Sequence, residues 1–336
     1  MKENSWLVAL LAIVVFAGLA EAYTKEEVVR RGFLQCGVAT GSPGFSIVDA
    51  DGKWTGLDVD ICRAVAAATL GDADKVEFLP LAESESFTAL LSGEVDILSR
   101  HSTWTFTRDS ALAVDFAGIS YYDGQGLLIS KNLKVNRLQD LKKVKVCSPV
   151  QSGFEPHLID YLERNNIEYR IVPYDTLDHA VKGFEKQACD MITMQQSQLY
   201  GLQQGLADPD TAVVLNEVIA KEPLAPVVRQ DDATWLNIVK WSLYAMITGE
   251  DLGVTYANLD EMSFSNILAV KRLFGLEGAG GKSIGLNDDW AIQVIRQVGN
   301  YGEVFERHFG EQSTLKIERG LNNLWSRGGL QYAPPL

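Results

Sequence analysis

Apolar and polar positions along this chain follow two periods that alternate. From Leu57 to Leu70, the residues Val59, Ile61, Cys62, Val65 and Ala66 recur at helical spacing, and Gly71 stands where a helix takes a left-handed cap. Short apolar runs flank this segment. Phe33–Ala39 precedes it and is closed by the Gly/Pro turn Thr40–Gly44, while Lys75–Pro80 follows, and both read as strands. Helical spacing returns over Glu85–Ser92, ending at Gly93, and Val95–Ser99 is again strand-like. The rhythm restarts downstream with strand Val144–Ser148, helix Glu155–Arg164, strand Tyr169–Val172, helix Leu177–Lys186 and strand Asp190–Thr193. Helical spacing then dominates Trp235–Gly249, Asp289–Gly299 and Tyr301–Phe309.

Such alternation predicts an α/β fold, with mostly parallel sheets flanked by helices. Two blocks stand out, about 23–125 and 130–220, followed by a helical C-terminal third. The segments Tyr121–Lys131 and Val218–Gln230 read as connectors, the second carrying Pro223 and Pro226. Two connectors imply that residues 126–224 form an inserted second lobe. Residues 23–125 and 225–336 would then make the first lobe with a helical C-terminal extension. Lobes joined by two crossing strands enclose a cleft whose hinges absorb opening and closing.

The first 22 residues follow a different logic. Lys2 precedes an uncharged stretch, Leu7–Leu19, and then Ala20-Glu21-Ala22. A basic start, a short apolar core and small residues at the cleavage positions describe a secretory signal peptide cut after Ala22. The stretch is shorter than the ~20 residues a membrane span needs. Removing it leaves 29 basic against 42 acidic residues, a net charge of −13 compared with −14 for all 336 residues. That balance excludes a nucleic-acid or anionic-membrane partner.

Export also changes the reading of the cysteines, Cys36, Cys62, Cys147 and Cys189. An even number in an oxidising compartment permits two disulfides in three connectivities, and Cys36–Cys62 with Cys147–Cys189 keeps each bridge within one lobe. The alternative is four buried thiols packed as small apolar groups. Neither these spacings nor the four histidines at 101, 157, 179 and 308 make a zinc pattern, so no metal and no cofactor is expected.

Catalytic signatures are missing in the contexts that would give them meaning. Gly275–Ser283, GLEGAGGKS, has Leu276 where a phosphate-binding loop needs its first glycine. No G-x-S-x-G, H-E-x-x-H or G-x-G-x-x-G sits between a strand and a helix. The informative stretch is Asp96–Arg108, DILSRHSTWTFTR, which follows a strand, opens a helix and places Ser99, Ser102, Thr103, Thr105 and Thr107 ahead of Arg108. Hydroxyls and one bidentate guanidinium suit a carboxylate. The same residues also fit an N-capped helix whose arginine pairs with Asp109 or Asp115.

Several segments carry a resemblance. They are GFSIVDADGKWTGLDVDICRAVAAATLGD (Gly44–Asp72), FTALLSGEVDILSR (Phe87–Arg100), TWTFTRD (Thr103–Asp109) and DFAGISYYDGQG (Asp115–Gly126), with KEPLAPVVRQ (Lys221–Gln230), VGNYGEVFERHFG (Val298–Gly310) and LWSRGGLQYAPP (Leu324–Pro335) further on. The chain resembles the periplasmic substrate-binding proteins of amino-acid ABC transporters, solute-binding protein family 3, and most of all the longer subgroup serving general L-amino acid uptake. The resemblance implies a two-lobed, periplasmic-binding-protein-like fold of type II. It implies a periplasmic, non-enzymatic role, in which an L-amino acid or related small carboxylate is captured between the lobes and delivered to an inner-membrane ABC permease. A monomer is expected.

Carried over residue by residue, Arg108 would hold the ligand α-carboxylate, helped by Thr103, Ser102 and the backbone at His101. Phe45 would be the aromatic wall, and Ser152 would add a hydroxyl and N–H donors from the second lobe. Departures from the subgroup are specific. Gln195 stands where an acid usually binds the α-ammonium, Gln151-Ser152-Gly153-Phe154-Glu155 replaces a Gly-Thr-Thr-Thr-Glu loop, an arginine usual near Ser86 is absent, and His101 replaces an asparagine. Glu155 or Glu85 are the candidates for restoring the charge. An alternative on the same fold is a periplasmic dehydratase-type enzyme, with His101, Glu85 or Glu155 as its acid.

Overall fold

A computed structural model describes residues 23–150, 153–230, 232–278 and 280–336; the expected leader, residues 1–22, and Ser152 lie outside the described residues. The strands are β1 (Leu34–Val38), β2 (Ile47–Val48), β3 (Trp54–Thr55), β4 (Val76–Pro80), β5 (Ile97–Thr103), β6 (Val114–Phe116), β7 (Tyr121–Ser130), β8 (Lys143–Pro149), β9 (Glu168–Tyr174), β10 (Met191–Gln195), β11 (Ala212–Val214) and β12 (Ala220–Arg229). The helices are α1 (Thr24–Arg31), α2 (Leu57–Leu70), α3 (Glu83–Leu91), α4 (Phe106–Ala111), α5 (Glu155–Arg164), α6 (Leu177–Glu185), α7 (Gln196–Gln204), α8 (Ala233–Asp251), α9 (Leu259–Met262), α10 (Leu268–Leu273), α11 (Trp290–Gln297) and α12 (Tyr301–His308).

One sheet runs through the molecule in the order β4-β1-β5-β12-β7-β10-β8-β9, with β6 on β12 and β11 on β7, while β2 and β3 form a separate hairpin. Its two ends are parallel: β1 pairs with β4 and β5, and β8 pairs with β9 and β10. The middle is antiparallel, through β5–β12, β12–β7 and β7–β10. The segments read as connectors are therefore largely strand, β7 and β12, each ten residues long. They are the two crossing strands expected to join the lobes. A register shift between Ala225 and Val227 absorbs Pro226, as a bulge must when a ladder donor is lost. A Cβ at Gly124 would come within 2.6 Å of the Val218 side chain, so glycine there reflects close packing.

The buried apolar groups follow the sheet. Two clusters draw on residues 28–121 together with 224–324, and two others draw only on residues 127–215. Tyr200 on α7 packs against a core of each kind. In the first set, α2 and α8 cover the face that Ile97 enters, and α3 covers the face that Leu98 enters. Disulfides join Cys36 of β1 to Cys62 of α2 and Cys147 of β8 to Cys189 just before β10, with Cα separations of 6.3 and 5.5 Å. Both are ordinary spans for a bridge.

The C-terminal helices are clamped to the first part of the chain by a buried ionic cluster. Asp60 in the first turn of α2 accepts from Arg307 Nη2 at 2.6 Å and Arg63 Nη1 at 3.1 Å, and lies 2.7 Å from His308 Nε2. Burial alone would push the Asp60 carboxyl up, but His308 and Arg307 together outweigh it and hold the pKa at about 2, below the ordinary 3.8. A depressed folded-state value means that the stabilisation is complete above about pH 4 and is lost as pH falls towards 2. Asp60→Asn is expected to cost about 2 kcal/mol near neutral pH, from the size of that shift. The stability difference from wild type, followed by thermal unfolding between pH 7 and 2, should shrink on the acid side; a gap constant with pH would refute the assignment.

Candidate functional site

β5 runs past Ser99 to Thr103, so His101, Ser102 and Thr103 sit at a strand end that points towards the short helix α4. Thr105 caps that helix, its hydroxyl accepting from Arg108 N at 3.2 Å. The Arg108 guanidinium donates to Thr103 O at 3.2 Å and to Glu83 Oε1 at 3.0 Å, and lies 5.5 Å from the centre of the Phe87 ring. The capped-helix reading thus holds for Thr105, but the ion-pair partner is Glu83, 25 residues upstream on α3. The Glu83 side chain is 71% exposed and that of Arg108 30%. Exposed pairs of this kind contribute at most about 1 kcal/mol, so an incoming carboxylate competes with Glu83 at small cost.

His101 adopts a left-handed backbone, φ 44°, a region in which Asn, Asp and His are enriched. That conformation accounts for a histidine standing where the resembling subgroup carries asparagine. Its Nδ1 lies 3.1 Å from Asp58 Oδ2 and its Nε2 3.3 Å from Gln198 Nε2 on α7, so the ring bridges the two halves of the molecule. Asp58 is set in place by the turn before α2. Leu57 N donates to Gly44 O at 2.9 Å and Asp58 N to Phe45 O at 3.1 Å. Gly56 has φ 134°, and a Cβ there would lie 2.0 Å from Phe45 O.

The other expected residues are distributed around this strand end. Phe45 is fully buried, its ring 4.9 Å from His101, 5.3 Å from Tyr121 and 4.9 Å from Phe309. Ser102 is buried and its hydroxyl has no partner. Thr103 Oγ1 donates to Glu222 Oε2 of β12. Gln195, buried at the end of β10, stands opposite Gln125 of β7. Glu155 Oε2 accepts from Ser148 Oγ at 2.6 Å, and Glu85 is exposed on α3. A groove of about 620 Å³ lies beside the His101–Gln198 contact, lined by Ser42 and Pro43 on one side and by Asp178, Lys182, Met194 and Gln198 on the other.

Sequence reasoning missed Glu83, Arg100, Asp123 and Glu222. Arg100 adjoins the site with its Nε buried and unpartnered, and burial draws its pKa below the ordinary value despite nearby Glu83 and Asp58. Among the described residues, no group of three or more His, Cys, Asp or Glu side chains could hold a metal ion, and no helix is long and apolar enough to cross a membrane.

Residues 34–258 match the bacterial extracellular solute-binding proteins, family 3. The chain belongs to this family. It is 47% identical over 339 aligned positions to the general L-amino acid-binding periplasmic protein AapJ of Rhizobium johnstonii, covering 100% of this chain and 99% of that protein. The glutamate/glutamine/aspartate/asparagine-binding protein BztA of Rhodobacter capsulatus is 44% identical, with coverage of 100% and 99%. Among solved structures, a periplasmic binding protein of an ABC transporter from Brucella ovis, with glutathione bound, superposes with a TM-score of 0.86 at 46% identity, covering 94% of this chain and 99% of that one. These neighbours share the two-lobed α/β architecture, so the sheet described above is that of a family 3 binding protein.

In this family 3 chain the Gly56 turn carries Asp58, and through it His101. Gly56→Ala is expected to destabilise the fold by roughly 2–4 kcal/mol, since it combines a backbone clash with an unfavourable φ. Urea unfolding of the two proteins measures this, and a midpoint unchanged at equal slope would contradict it.

Proposed function

We propose that this protein is a periplasmic receptor that captures an L-amino acid between residues 23–125 with 225–336 and residues 126–224, and passes it to an ABC permease without catalysis. The observation that carries the reading is Arg108. Its guanidinium is oriented by Thr103 O, is paired among the described residues with an exposed and exchangeable carboxylate, and lies at the end of the strand that carries Ser102 and Thr103. That arrangement receives a carboxylate. The relatives named for amino acids support the ligand class, and the leader ending at Ala22 supports the compartment. His101 and Gln198 meet across the halves, as parts of a clamp that closes would. On this reading Ser152 contributes donors from the second lobe, and Gln195 lines the opposite side.

Micromolar affinity corresponds to about −8 kcal/mol, within reach of one bidentate arginine and several neutral donors. A thermal-shift screen of the twenty L-amino acids and simple carboxylates should find stabilisation by at least one α-amino acid. By calorimetry, Arg108→Ala should weaken that ligand about a hundredfold or more, the loss of a charge-assisted bidentate contact. Glu83→Gln should strengthen it two- to fivefold by removing the competitor, on the order of the exposed pair's worth. Unchanged affinity in Arg108→Ala, or no response to any α-amino acid, would remove the basis of the reading.

A further inference from the structure

Asp123 of β7 and Glu222 of β12 stand opposite each other in the antiparallel register, so both side chains leave the sheet on one face. Like charges so placed repel. Among the described residues, neither carboxylate has a Lys, Arg or His group within 4.0 Å. Asp123 accepts from Gly124 N at 2.8 Å, from Ser197 N at 3.3 Å and from Ser197 Oγ. Even so, burial above all, with Glu222 adding to it, pushes its pKa up to about 6.

A second, independent feature lies two residues along the same strand and on the same face. Gln125 is fully buried; its Nε2 donates to Phe154 O at 2.7 Å and Thr193 Oγ1 at 3.0 Å, while among the described residues no donor reaches its Oε1. Gln125 is the residue opposite both Gln195 and Ala220, so it stands where β7 meets β10 and β12. The crossing of the strands therefore presents two carboxylates and one unmatched amide oxygen, all acceptors, with no cation to meet them.

We propose that this acceptor set binds the ligand's ammonium, Glu222 and Asp123 supplying the negative charge and Gln125 Oε1 a neutral acceptor, in place of the acid that Gln195 lacks. The inference rests on the amino-acid receptor reading above. Thr103 supplies the geometry, since its carbonyl oxygen accepts from Arg108 and its hydroxyl donates to Glu222. The cationic and anionic groups are thus one residue apart, as the adjacent carboxylate and ammonium of an α-amino acid require. The other two acids considered do not share this placement: Glu155 is engaged by Ser148, and Glu85 is exposed on α3.

The test compares L-glutamate, L-glutamine and L-alanine with glutarate, glutaramate and propionate, the same acids without the α-ammonium, by calorimetry on the mature protein. Wild type should prefer each bound amino acid over its deaminated partner by about a hundredfold or more. Glu222→Gln and Asp123→Asn should each cut that preference at least tenfold, with most of the loss on the amino acid. Because the preference is a ratio within one protein, a general loss of packing would weaken both ligands equally and leave it unchanged, which overturns the assignment. A wild type that takes up none of the twenty L-amino acids overturns the receptor reading and this one with it; where the one bound is not among these three, it and its deaminated analogue take their place in the comparison. Binding that survives in wild type with the preference intact in both variants overturns this one alone.

Discussion

The architecture depends on β12 pairing with two neighbours at once. Leu224 stands opposite Thr103 of β5 on one side and Tyr121 of β7 on the other, and this double pairing turns two parallel half-sheets into one. Without it the parallel ends would be separate α/β units with exposed edges. With it, every residue near the strand crossing has a determined face. Thr103, Glu222, Asp123 and Gln125 fall on one side by register alone. The site is thus set by strand pairing, and the short helix α4 only has to bring Arg108 back over the end of β5.

Register also forces an electrostatic conflict. Two carboxylates on one face, flanked by apolar core and short of cations, are unfavourable in the empty protein. Ordinary surface acids relieve such repulsion by turning into water, but Asp123 is tied to Ser197 and Gly124 and cannot. Elsewhere the same chain shows the opposite arrangement, since Asp60 is surrounded by His308, Arg307 and Arg63. Among the described residues one buried acid is thus met by cations and the other only by neutral donors, the contrast on which the proposed ammonium site rests. A cationic group binding there stabilises the conformation that holds it.

The regular elements were legible because their signals are local. The spacing from Leu57 to Leu70 with Gly71 marks α2 to the residue, and α5 falls on Glu155–Arg164 as its periodicity predicts. The disulfide pairing followed from keeping each bridge within one lobe. β7 and β12 are the two crossing strands expected between the lobes, and the bulge at Pro226 and the packing of Val218 against Gly124 show why a strand tolerates these residues. The Arg108–Glu83 pair spans 25 residues and two elements, a distance at which no periodicity operates. Phe45, which the resemblance implies as an aromatic wall, is fully buried with its ring 4.9 Å from that of His101. Gln195 marks the departure in the sequence, while the pairing of Asp123 with Glu222 is a long-range register that the sequence does not display.

Where the countercharge sits changes how a clamp closes. An acid at Gln195 would belong to the end of β10, in the part of the chain spanning residues 127–215 that has its own core, so the ammonium would be neutralised only when that part arrived. Acids on β7 and β12 belong to the crossing itself, beside Thr103 and Arg108. On the proposed reading both charged ends of an α-amino acid would be met at the crossing, where Ser197 of the second half also holds Asp123. Closure is left to neutral groups such as Gln198, which reaches His101 at 3.3 Å, and to the packing of Tyr200 against both cores. Such contacts are short-ranged and weak one by one, so on the proposed reading closure would depend on the fit of the ligand's side chain more than on its charge.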